Sequence, residues 1–241
     1  MRMNARFDGR SVLVAGGTGA LGQAVTLAFL EEGARVTATW RQAAEYDALV
    51  SAAGALQDRL DGVQADVTDE PSAGQLVERV TGRTGRLDVL VNAVGGYAGG
   101  PRLWESDAAT LERMLSLNLR SGFTLARAAV PVMLEQGSGA IVNVAARAAL
   151  VHSPGISAYA ASKAAALALM NSLAAELKGT GVRVNSILPS IIDSEANRRA
   201  MPGADHSKWP KPGELARVVL FLSSEDARLI SGAAIPVYGE G

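Results

Sequence analysis

Two kinds of hydrophobic pattern alternate along the chain. Short apolar runs rich in β-branched residues, typical of buried strands, are separated by longer segments in which apolar residues recur at helical spacing. The short runs predict strands at 11–15, 35–39, 62–65, 87–91, 139–144, 182–188 and 233–237. The longer segments predict helices from the turn at 16–22 to residue 30, in the first half of 42–60, and at 72–83, 106–136, 157–178 and 212–223. This alternation has no compositional break, so it predicts one α/β domain over residues 1–241, with a mostly parallel seven-stranded sheet and helices on both faces.

The composition is that of an ordinary globular chain. Of 241 residues, 48% are hydrophobic and 20% are charged, which suffices for one large core. Basic and acidic residues number 23 and 24 without a long run of one sign, so nucleic acid and anionic membranes are not expected partners. No stretch approaches the roughly 18 apolar residues of a membrane span, and residues 1–10 lack the apolar segment of a secretory signal. We therefore expect a cytoplasmic protein.

Metal and thiol chemistry are not expected. The chain has no Cys, which excludes disulfides, thiolate catalysis and thiolate metal sites. His152 and His206 are the only histidines, and no metal cluster can be assembled from them. We interpret His152 as a partly exposed loop residue.

A glycine-rich turn follows the first predicted strand and opens the first predicted helix. Glycines let the backbone approach a pyrophosphate closely, and the helix N-terminus supplies free N–H groups and a partial positive charge. A strand, a glycine turn and a helix in this order predict a dinucleotide site in a doubly wound sheet of the Rossmann type. The expected contacts are Gly16, Gly17, Thr18, Gly19, Ala20, Leu21 and Gly22.

The residues at the end of the second predicted strand indicate which dinucleotide binds. An acidic side chain there binds the ribose diol of NAD, whereas a nearby Arg accommodates the 2′-phosphate of NADP. Trp40 and Arg41 occupy this place, which favours NADP, with Thr39 as a candidate second phosphate contact. Asp66 and Val67 end the third strand, where a side chain can cap the adenine edge.

A glycine-rich loop follows the fourth predicted strand. Residues 92–100 read Asn-Ala-Val-Gly-Gly-Tyr-Ala-Gly-Gly, with four glycines among the last six. Open α/β sheets bind ligands outside the carboxyl ends of their strands. The loop therefore lies where a ligand is expected.

Tyr159 and Lys163 stand four residues apart at the start of a long apolar helical pattern. Positions i and i+4 share one helix face, so the phenol and the ammonium point into the same space. A phenol has a pKa of about 10 in water, and a cation within roughly 4–6 Å lowers that pKa. The pair is therefore predicted to give or take a proton near neutral pH. The spacing alone also fits an ordinary surface helix, so the assignment depends on the surrounding residues.

Taken together and in order, these features resemble the short-chain dehydrogenase/reductase family over the whole chain. The resemblance implies an NAD(P)-dependent oxidoreductase in which Tyr159 is the proton donor or acceptor. Lys163 would lower the Tyr159 pKa and hold the nicotinamide ribose, and Asn118 would keep a water in the proton relay. The further pieces that agree are Asn118 in the long helix, Asn185 with Pro189, and Ser231-Gly232 near the end. Beyond the glycine turn, the cofactor contacts that the resemblance implies are Trp40, Arg41, Asp66, Val67, Asn92, Ala93, Val94, Gly95, Tyr159, Lys163, Pro189, Ile192 and Ser194.

One departure from the family pattern concerns the substrate. Most members have a Ser thirteen residues before the Tyr, and this chain has Ala146. Removing a donor aimed at a developing oxyanion commonly costs about 10²–10³ in rate. The dihydropteridine reductase-like branch is similar in lacking this Ser. It also shares the Gly-Gly-aromatic-Ala-Gly-Gly loop around Tyr97, a Ser153-Pro154-Gly155 segment, and the run from Asn197 to Asp205 followed by Trp209.

The leading hypothesis is an NADP-dependent reductase, with NAD as the alternative because the branch prefers NADH. Its substrate would be a small conjugated acceptor such as a quinonoid dihydropterin, which accepts hydride without a polarised ketone. The expected substrate contacts are Tyr97, Ala146, Arg147 and Ser153. One alternative is an ordinary ketone/alcohol oxidoreductase in which Ser153 or Ser157 replaces the missing donor. A second alternative is a non-enzymatic nucleotide-binding or scaffold protein.

Two further expectations concern the remaining segments. Residues 190–211 have no strong periodicity and are predicted to form a substrate lid. Trp104 and Trp209 are interpreted as packing residues. The helices 106–136 and 157–178 are broadly apolar, and the family resemblance implies that they pair with a second subunit in a homodimer or homotetramer.

Overall fold

The computed structural model describes residues 5–240, in which strands and helices alternate as the hydrophobic pattern predicts. The strands are β1 (Ser11–Ala15), β2 (Arg35–Trp40), β3 (Leu60–Gln64), β4 (Val89–Asn92), β5 (Gly139–Val144), β6 (Val182–Pro189) and β7 (Ala234–Val237). The helices are α1 (Ala20–Glu31), α2 (Ala43–Ala53), α3 (Glu70–Thr84), α4 (Ala108–Leu115), α5 (Ser121–Gln136), α6 (Ser157–Glu176), α7 (Glu195–Ala200) and α8 (Pro212–Ser223).

The strands form one seven-stranded sheet in the order β3-β2-β1-β4-β5-β6-β7. Every strand pairing within residues 5–240 is parallel. The order reverses between β1 and β4, and a crevice forms at such a switch point, outside the carboxyl ends of the strands. The predicted Rossmann-type, doubly wound sheet is therefore confirmed.

Alternate strand residues face two separate apolar layers. Val12 and Val14 of β1 pack in one buried cluster with α1 and α8, whereas Leu13 and Ala15 pack in the other with α3, α5 and α6. A strand covered on both faces is apolar at most positions, which explains why β1 reads as an uninterrupted apolar run from Val12 to Ala15. This two-sided core holds the strand ends, and the loops that leave them, in fixed positions.

The segment 106–136 is not the single long helix that its pattern predicts. It consists of α4, a π-helical turn at Ser116–Arg120, and α5, which continues through Pro131 to Gln136. The π turn carries Asn118, whose side chain is buried. A mid-helix Asn is usually solvated or locally bonded, so both the break and the burial depart from expectation. Such π turns inside helices are frequent at functional sites.

The segment 190–211 carries local structure that its weak periodicity did not predict. It contains α7 and a 3₁₀ turn, and its two ends meet where the Asp193 N–H donates to the Pro210 carbonyl at 3.0 Å. That the segment closes over a substrate stays a prediction. Trp209 is buried and packs as expected, but the side chain of Trp104 is 80% exposed, so its interpretation as a packing residue was wrong.

Among residues 5–240, no helix combines the length and the hydropathy needed to cross a lipid bilayer.

Candidate active site

The glycine turn after β1 has the geometry of an anion-binding turn. Gly16 has a φ of +75°, which favours glycine, and a Cβ at Gly22 would stand 1.9 Å from the Gly16 carbonyl oxygen. Gly19 is the N-cap of α1 and no side chain caps this helix, so its first N–H groups are available to a ligand. The turn therefore fits the pyrophosphate of a dinucleotide.

Thr39 supports the glycine turn from the neighbouring strand and is not placed to hold a phosphate. Its hydroxyl accepts a hydrogen bond from the Gly16 N–H at 2.7 Å, and its carbonyl accepts one from the Gly17 N–H at 3.1 Å. The Thr39 side chain is 3% exposed. Its expected role as a second phosphate contact was therefore wrong, because the hydroxyl is buried and already paired.

The end of β2 presents an aromatic pair and an exposed cation. The Trp40 indole stacks on the Tyr46 ring of α2, with centroids 5.9 Å apart, and Arg41 beside it is exposed. A carboxylate also reaches this area, because the Thr18 hydroxyl of the glycine turn donates to Glu45 Oε2 at 3.0 Å. Charges of both signs therefore stand near the turn.

Asp66 and Val67 lie after β3 on the same side. Asp66 Oδ1 accepts hydrogen bonds from the Thr68 N–H at 2.9 Å and the Thr68 hydroxyl at 2.7 Å. These bonds, and secondarily the positive charge of Arg41, lower the pKa of the Asp66 carboxyl. Val67 is buried, and its carbonyl accepts a hydrogen bond from the Thr124 hydroxyl. Asp66 is therefore a charged acceptor in a fixed turn.

The loop after β4 comes very close to the catalytic candidates. The Ala93 N–H donates to the Ala15 carbonyl at 2.9 Å, which holds the loop beside the glycine turn. A Cβ at Gly95 would stand 2.8 Å from Asn118 Oδ1 and 3.1 Å from Lys163 Nζ. Only glycine fits there without displacing these two groups. Behind the loop, Asn92 donates to Asn143 Oδ1 at 3.1 Å and accepts from the Val94 N–H at 3.2 Å.

Asn118 joins this loop to the helix that carries Tyr159 and Lys163. Its amide nitrogen donates to the Gly96 carbonyl at 3.1 Å and to the Ser162 hydroxyl at 2.9 Å, and its amide oxygen accepts from the Gly96 N–H at 2.9 Å. The Ser162 hydroxyl donates in turn to the Tyr159 carbonyl at 2.7 Å. The structure therefore gives Asn118 a positioning contact on both sides, while the water relay stays a prediction.

Lys163 is deeply buried one turn below Tyr159 on α6. Lys163 is only 5% exposed, and its Nζ donates a hydrogen bond to the Val144 carbonyl at the end of β5, 2.9 Å away. Burial lowers the pKa of Lys163 to about 8, because the surroundings disfavour the charged form. Near neutral pH the ammonium form still predominates.

The structure contradicts the expected acidity of Tyr159. Burial, and secondarily the neighbouring Tyr97 phenol, raises the pKa of Tyr159 to about 12. The expectation considered only the cation four residues away, but desolvation disfavours phenolate as strongly as it disfavours the Lys163 ammonium. In this structure Tyr159 is therefore a protonated phenol throughout the physiological range, which suits a proton donor more than a proton acceptor.

The four expected substrate contacts differ in their burial and in the groups that they contact. The Tyr97 ring stands edge-to-face with Tyr159, with centroids 5.0 Å apart, and lines a cleft of about 340 Å³. Ala146 is buried directly after β5, and the Arg147 guanidinium lies over the Tyr238 ring, 5.1 Å from its centroid. Ser153 is exposed in the loop before α6. His152 is exposed in the same loop, as its interpretation required.

The last cofactor candidates follow β6 at the same edge of the sheet. Pro189 is buried at the end of β6, and the Ile192 carbonyl accepts a hydrogen bond from Asn197 Nδ2 at 2.8 Å. The Ser194 hydroxyl accepts the Asn197 N–H at 3.2 Å and caps α7. Their side chains therefore shape this segment, and their contacts with a cofactor stay predictions.

Sequence reasoning missed several residues that build the site. Ser162 had a usable signal, because it stands three positions after Tyr159 on the same helix face. The Val144 carbonyl, the Tyr46 ring and the Glu45 carboxylate had none, because each meets its partner through tertiary packing.

A glycine turn at the switch point of a doubly wound sheet, beside a partly buried Tyr and a buried Lys on one helix, defines a dinucleotide-dependent oxidoreductase. Residues 10–204 match the family model described as short chain dehydrogenase, and the chain belongs to this family. It is thus an NAD(P)-dependent oxidoreductase.

Relatives of known name agree with this membership. Over 97% of its length the chain is 33% identical to the 3-oxoacyl-[acyl-carrier-protein] reductase FabG of Thermotoga maritima, of which it covers 98%. It is 34% identical to the D-threitol dehydrogenase of Mycolicibacterium smegmatis, over 97% of this chain and 93% of that protein. The solved structure of ElxO with NADP bound is similar with a TM-score of 0.90 and 25% identity, over 95% of this chain and 97% of that one.

The buried charge of Lys163 predicts a pH-dependent effect on stability. Its pKa is about 8 in the folded chain against 10.5 for the free side chain, so between these values the unfolded state binds more protons and stability rises with pH. Lys163→Met removes the charge, and we expect the variant to be more stable than the wild type below pH 8 by about 1–3 kcal/mol. This advantage should shrink as the pH rises above 8.

Urea unfolding at about pH 6.5, 8 and 9.5 measures this difference in the free energy of unfolding. Lys178→Met, which removes an exposed lysine just after the same helix, is the matched control and should show almost no change. A difference for Lys163→Met that is constant across these pH values would contradict the prediction.

Proposed function

We propose that the protein is an NADP(H)-dependent reductase in which Tyr159 donates a proton to a small, planar, conjugated acceptor. The observation that carries the proposal is the partly buried Tyr159 ring, whose centroid lies 5.0 Å from that of Tyr97, on the same helix as the buried Lys163. The intact Tyr–Lys pair and the reductases and dehydrogenases among the relatives weigh against the non-enzymatic alternative.

The contacts of Tyr159, Lys163 and Asn118 suggest a separate role for each residue in the proposed reaction. The nicotinamide of a bound cofactor supplies the hydride chemistry. Tyr159, with its pKa raised to about 12, keeps its proton until a developing negative charge on the acceptor draws the proton away. Lys163 holds positive charge beside that reaction, fixed by its bond to the Val144 carbonyl. Asn118 fixes the loop at Gly96 against α6, which keeps the donor in place.

A conjugated acceptor is proposed because the site lacks a hydroxyl donor and presents an exposed aromatic ring. Ala146 offers no hydroxyl at the position where most members polarise a ketone, and Tyr97, which is 67% exposed, offers an aromatic face instead. An aromatic face stacks on a planar ring. A quinonoid dihydropterin, suggested by the resemblance to the dihydropteridine reductase-like branch, is the acceptor of this kind that we propose to test first.

A second candidate is an ordinary ketone/alcohol oxidoreductase, which the names of the relatives favour. The FabG relative is a 3-oxoacyl reductase, and another relative acts on D-threitol. Ser153 and Ser157 stand before or at the start of α6 as substitutes for the missing donor, and both are exposed.

NADP is proposed over NAD because Arg41 is the exposed cation at the end of β2. The Glu45 carboxylate, bonded to the Thr18 hydroxyl, opposes this preference because it repels a 2′-phosphate. Arg41 and Glu45 therefore act in opposite directions, and the NADP bound to ElxO supports the proposed outcome.

We further propose a homodimer or homotetramer. Phe123 and Leu134 on α5 and Leu111 on α4 are 39–45% exposed, and a second subunit would cover them. A monomeric mass by sedimentation in dilute solution would refute this assembly.

Tyr159→Phe tests the assignment of the proton donor. We expect turnover to fall by about 10²–10⁴, the usual contribution of a positioned acid, because the ring is kept and only the hydroxyl is lost. The affinity for NADPH, measured by fluorescence titration, should stay nearly unchanged. Turnover equal to that of the wild type would reject the assigned role.

Arg41→Ala tests the proposed preference for NADP. We expect the dissociation constant for NADPH to rise about tenfold while that for NADH stays the same, because only NADPH carries the 2′-phosphate. Glu45→Gln is the paired variant, and it should bind NADPH more tightly. If Arg41→Ala weakens both cofactors equally, Arg41 does not read the 2′-phosphate.

Ala146→Ser separates the two candidate functions. If the protein is a ketone reductase that lacks its donor, the new hydroxyl should raise kcat/KM on simple ketones by about 10²-fold. If the acceptor is conjugated, the gain should be small, and the wild type should already reduce a quinonoid dihydropterin. Assays of both proteins with both acceptors and the preferred cofactor give the answer.

A further inference from the structure

A second cleft lies at the edge of the sheet opposite the glycine turn. It has a volume of about 300 Å³ and is formed at the amino ends of β4, β5 and β6, together with the segment before β1 and the residues after α8. The glycine turn, the loop that contains Gly95 and the loop that leads into the Tyr159 helix all leave the carboxyl ends of the strands. The cleft is therefore separate from the active site.

The walls of this cleft carry more positive than negative charge. Four guanidinium groups line it, against the two carboxylates of Asp88 and Glu225. Asp88 is already paired, because it accepts from Arg10 Nη1 at 2.8 Å, from Arg86 Nε at 2.8 Å, and from the Ser11 N–H at 2.8 Å. The four arginines are Arg6, Arg10, Arg183 and Arg228.

Arg183 is the most firmly held of these cations. It lies near the start of β6, and its guanidinium donates only to backbone carbonyls: Nη1 to Leu222 at 2.7 Å and Ile230 at 3.4 Å, and Nη2 to Ser224 at 3.0 Å. Within residues 5–240, no carboxylate forms an ion pair with it, and its Nε–H donates to no protein group. The carbonyls fix its orientation, and the nearby Glu225 carboxylate of the cleft acts on it electrostatically without forming an ion pair.

A fixed, half-buried cation that keeps a free donor and has no carboxylate hydrogen-bonded to it can receive an anion. The edge of a guanidinium binds two oxygens of a phosphate, and Arg is preferred where phosphate is recognised in this way. Arg228 at the cleft wall is exposed and makes no ion pair within the described part of the chain. Two cations in the wall of one cleft attract a doubly charged phosphate more strongly than a singly charged carboxylate.

We propose that this cleft is a second ligand site, which binds a small phosphate ester through Arg183 and Arg228. Its volume lies at the lower end of the range for small-molecule sites, which suits a compact phosphorylated metabolite. Because the site and the catalytic cleft lie at opposite ends of the strands, both can be occupied at once.

Isothermal calorimetry with pyrophosphate as the probe tests the site. The protein is first saturated with NADPH, which is expected to fill the glycine turn, and ionic strength is held constant with chloride. We expect saturable binding that Arg228→Gln weakens about threefold and Arg183→Met weakens about tenfold or more. Arg59→Gln, at a partly exposed arginine outside the cleft, is the matched control and should bind like the wild type.

The Nε–H resonances of the arginines in a ¹⁵N-labelled sample locate the binding directly. The Arg183 resonance is identified by its absence from the spectrum of Arg183→Met. In the wild type, the chemical shift of this resonance should change as pyrophosphate is added, with or without NADPH. If Arg183→Met fails to fold, as judged by circular dichroism, Arg228→Gln and the NMR shift carry the test. Equal affinity in the wild type, Arg228→Gln and Arg59→Gln, or no saturable binding, would overturn the proposal.

Discussion

The active site depends on one buried ammonium held by one backbone carbonyl. Lys163 Nζ donates to the Val144 carbonyl, which joins α6 to the end of β5. Burial of this charge opposes folding near neutral pH, as the lowered pKa of Lys163 indicates. The large two-sided core of the sheet tolerates that cost. A positive charge is thereby fixed in a dry place, where it acts more strongly on a reacting group than it would in water.

The same ammonium limits what the neighbouring backbone can be. Gly95 passes so close to Lys163 Nζ and Asn118 Oδ1 that a Cβ would displace one of them. Asn118 then holds the next residue, Gly96, by both its N–H and its carbonyl. Glycine at position 95 is thus required by its close approach to Lys163 and Asn118 and not only by flexibility. The π turn makes that approach possible, because it carries the Asn118 side chain.

Local sequence patterns predicted the strands and the glycine turn, whereas tertiary contacts determined the features that the sequence did not predict. The strands were predictable because burial on both faces leaves a continuous apolar run, and the glycine turn because a Cβ at Gly22 has no space. The π turn was not, since a change in hydrogen-bond register inside a helix leaves no trace in composition. The pKa of Tyr159 was predicted in the wrong direction, because the spacing to Lys163 is visible in the sequence but the depth of burial is not. The role of Thr39 was predicted wrongly for the same reason, because the sequence does not show that its hydroxyl is buried.

The proposed choice of acceptor depends on Ala146 and Tyr97, which the fold does not require. Ala146 is buried after β5 at 7% exposure, in backbone that any residue adopts, with a φ of −164°. The core clusters that hold the sheet together do not include this position, so a hydroxyl can be gained or lost there without disturbing them. Tyr97, by contrast, touches Tyr159 and stands mostly in solvent, where its face is available to a ring. The proposed proton donor therefore lies on a helix that packs against the core, while the proposed acceptor contacts are residues that can change one at a time.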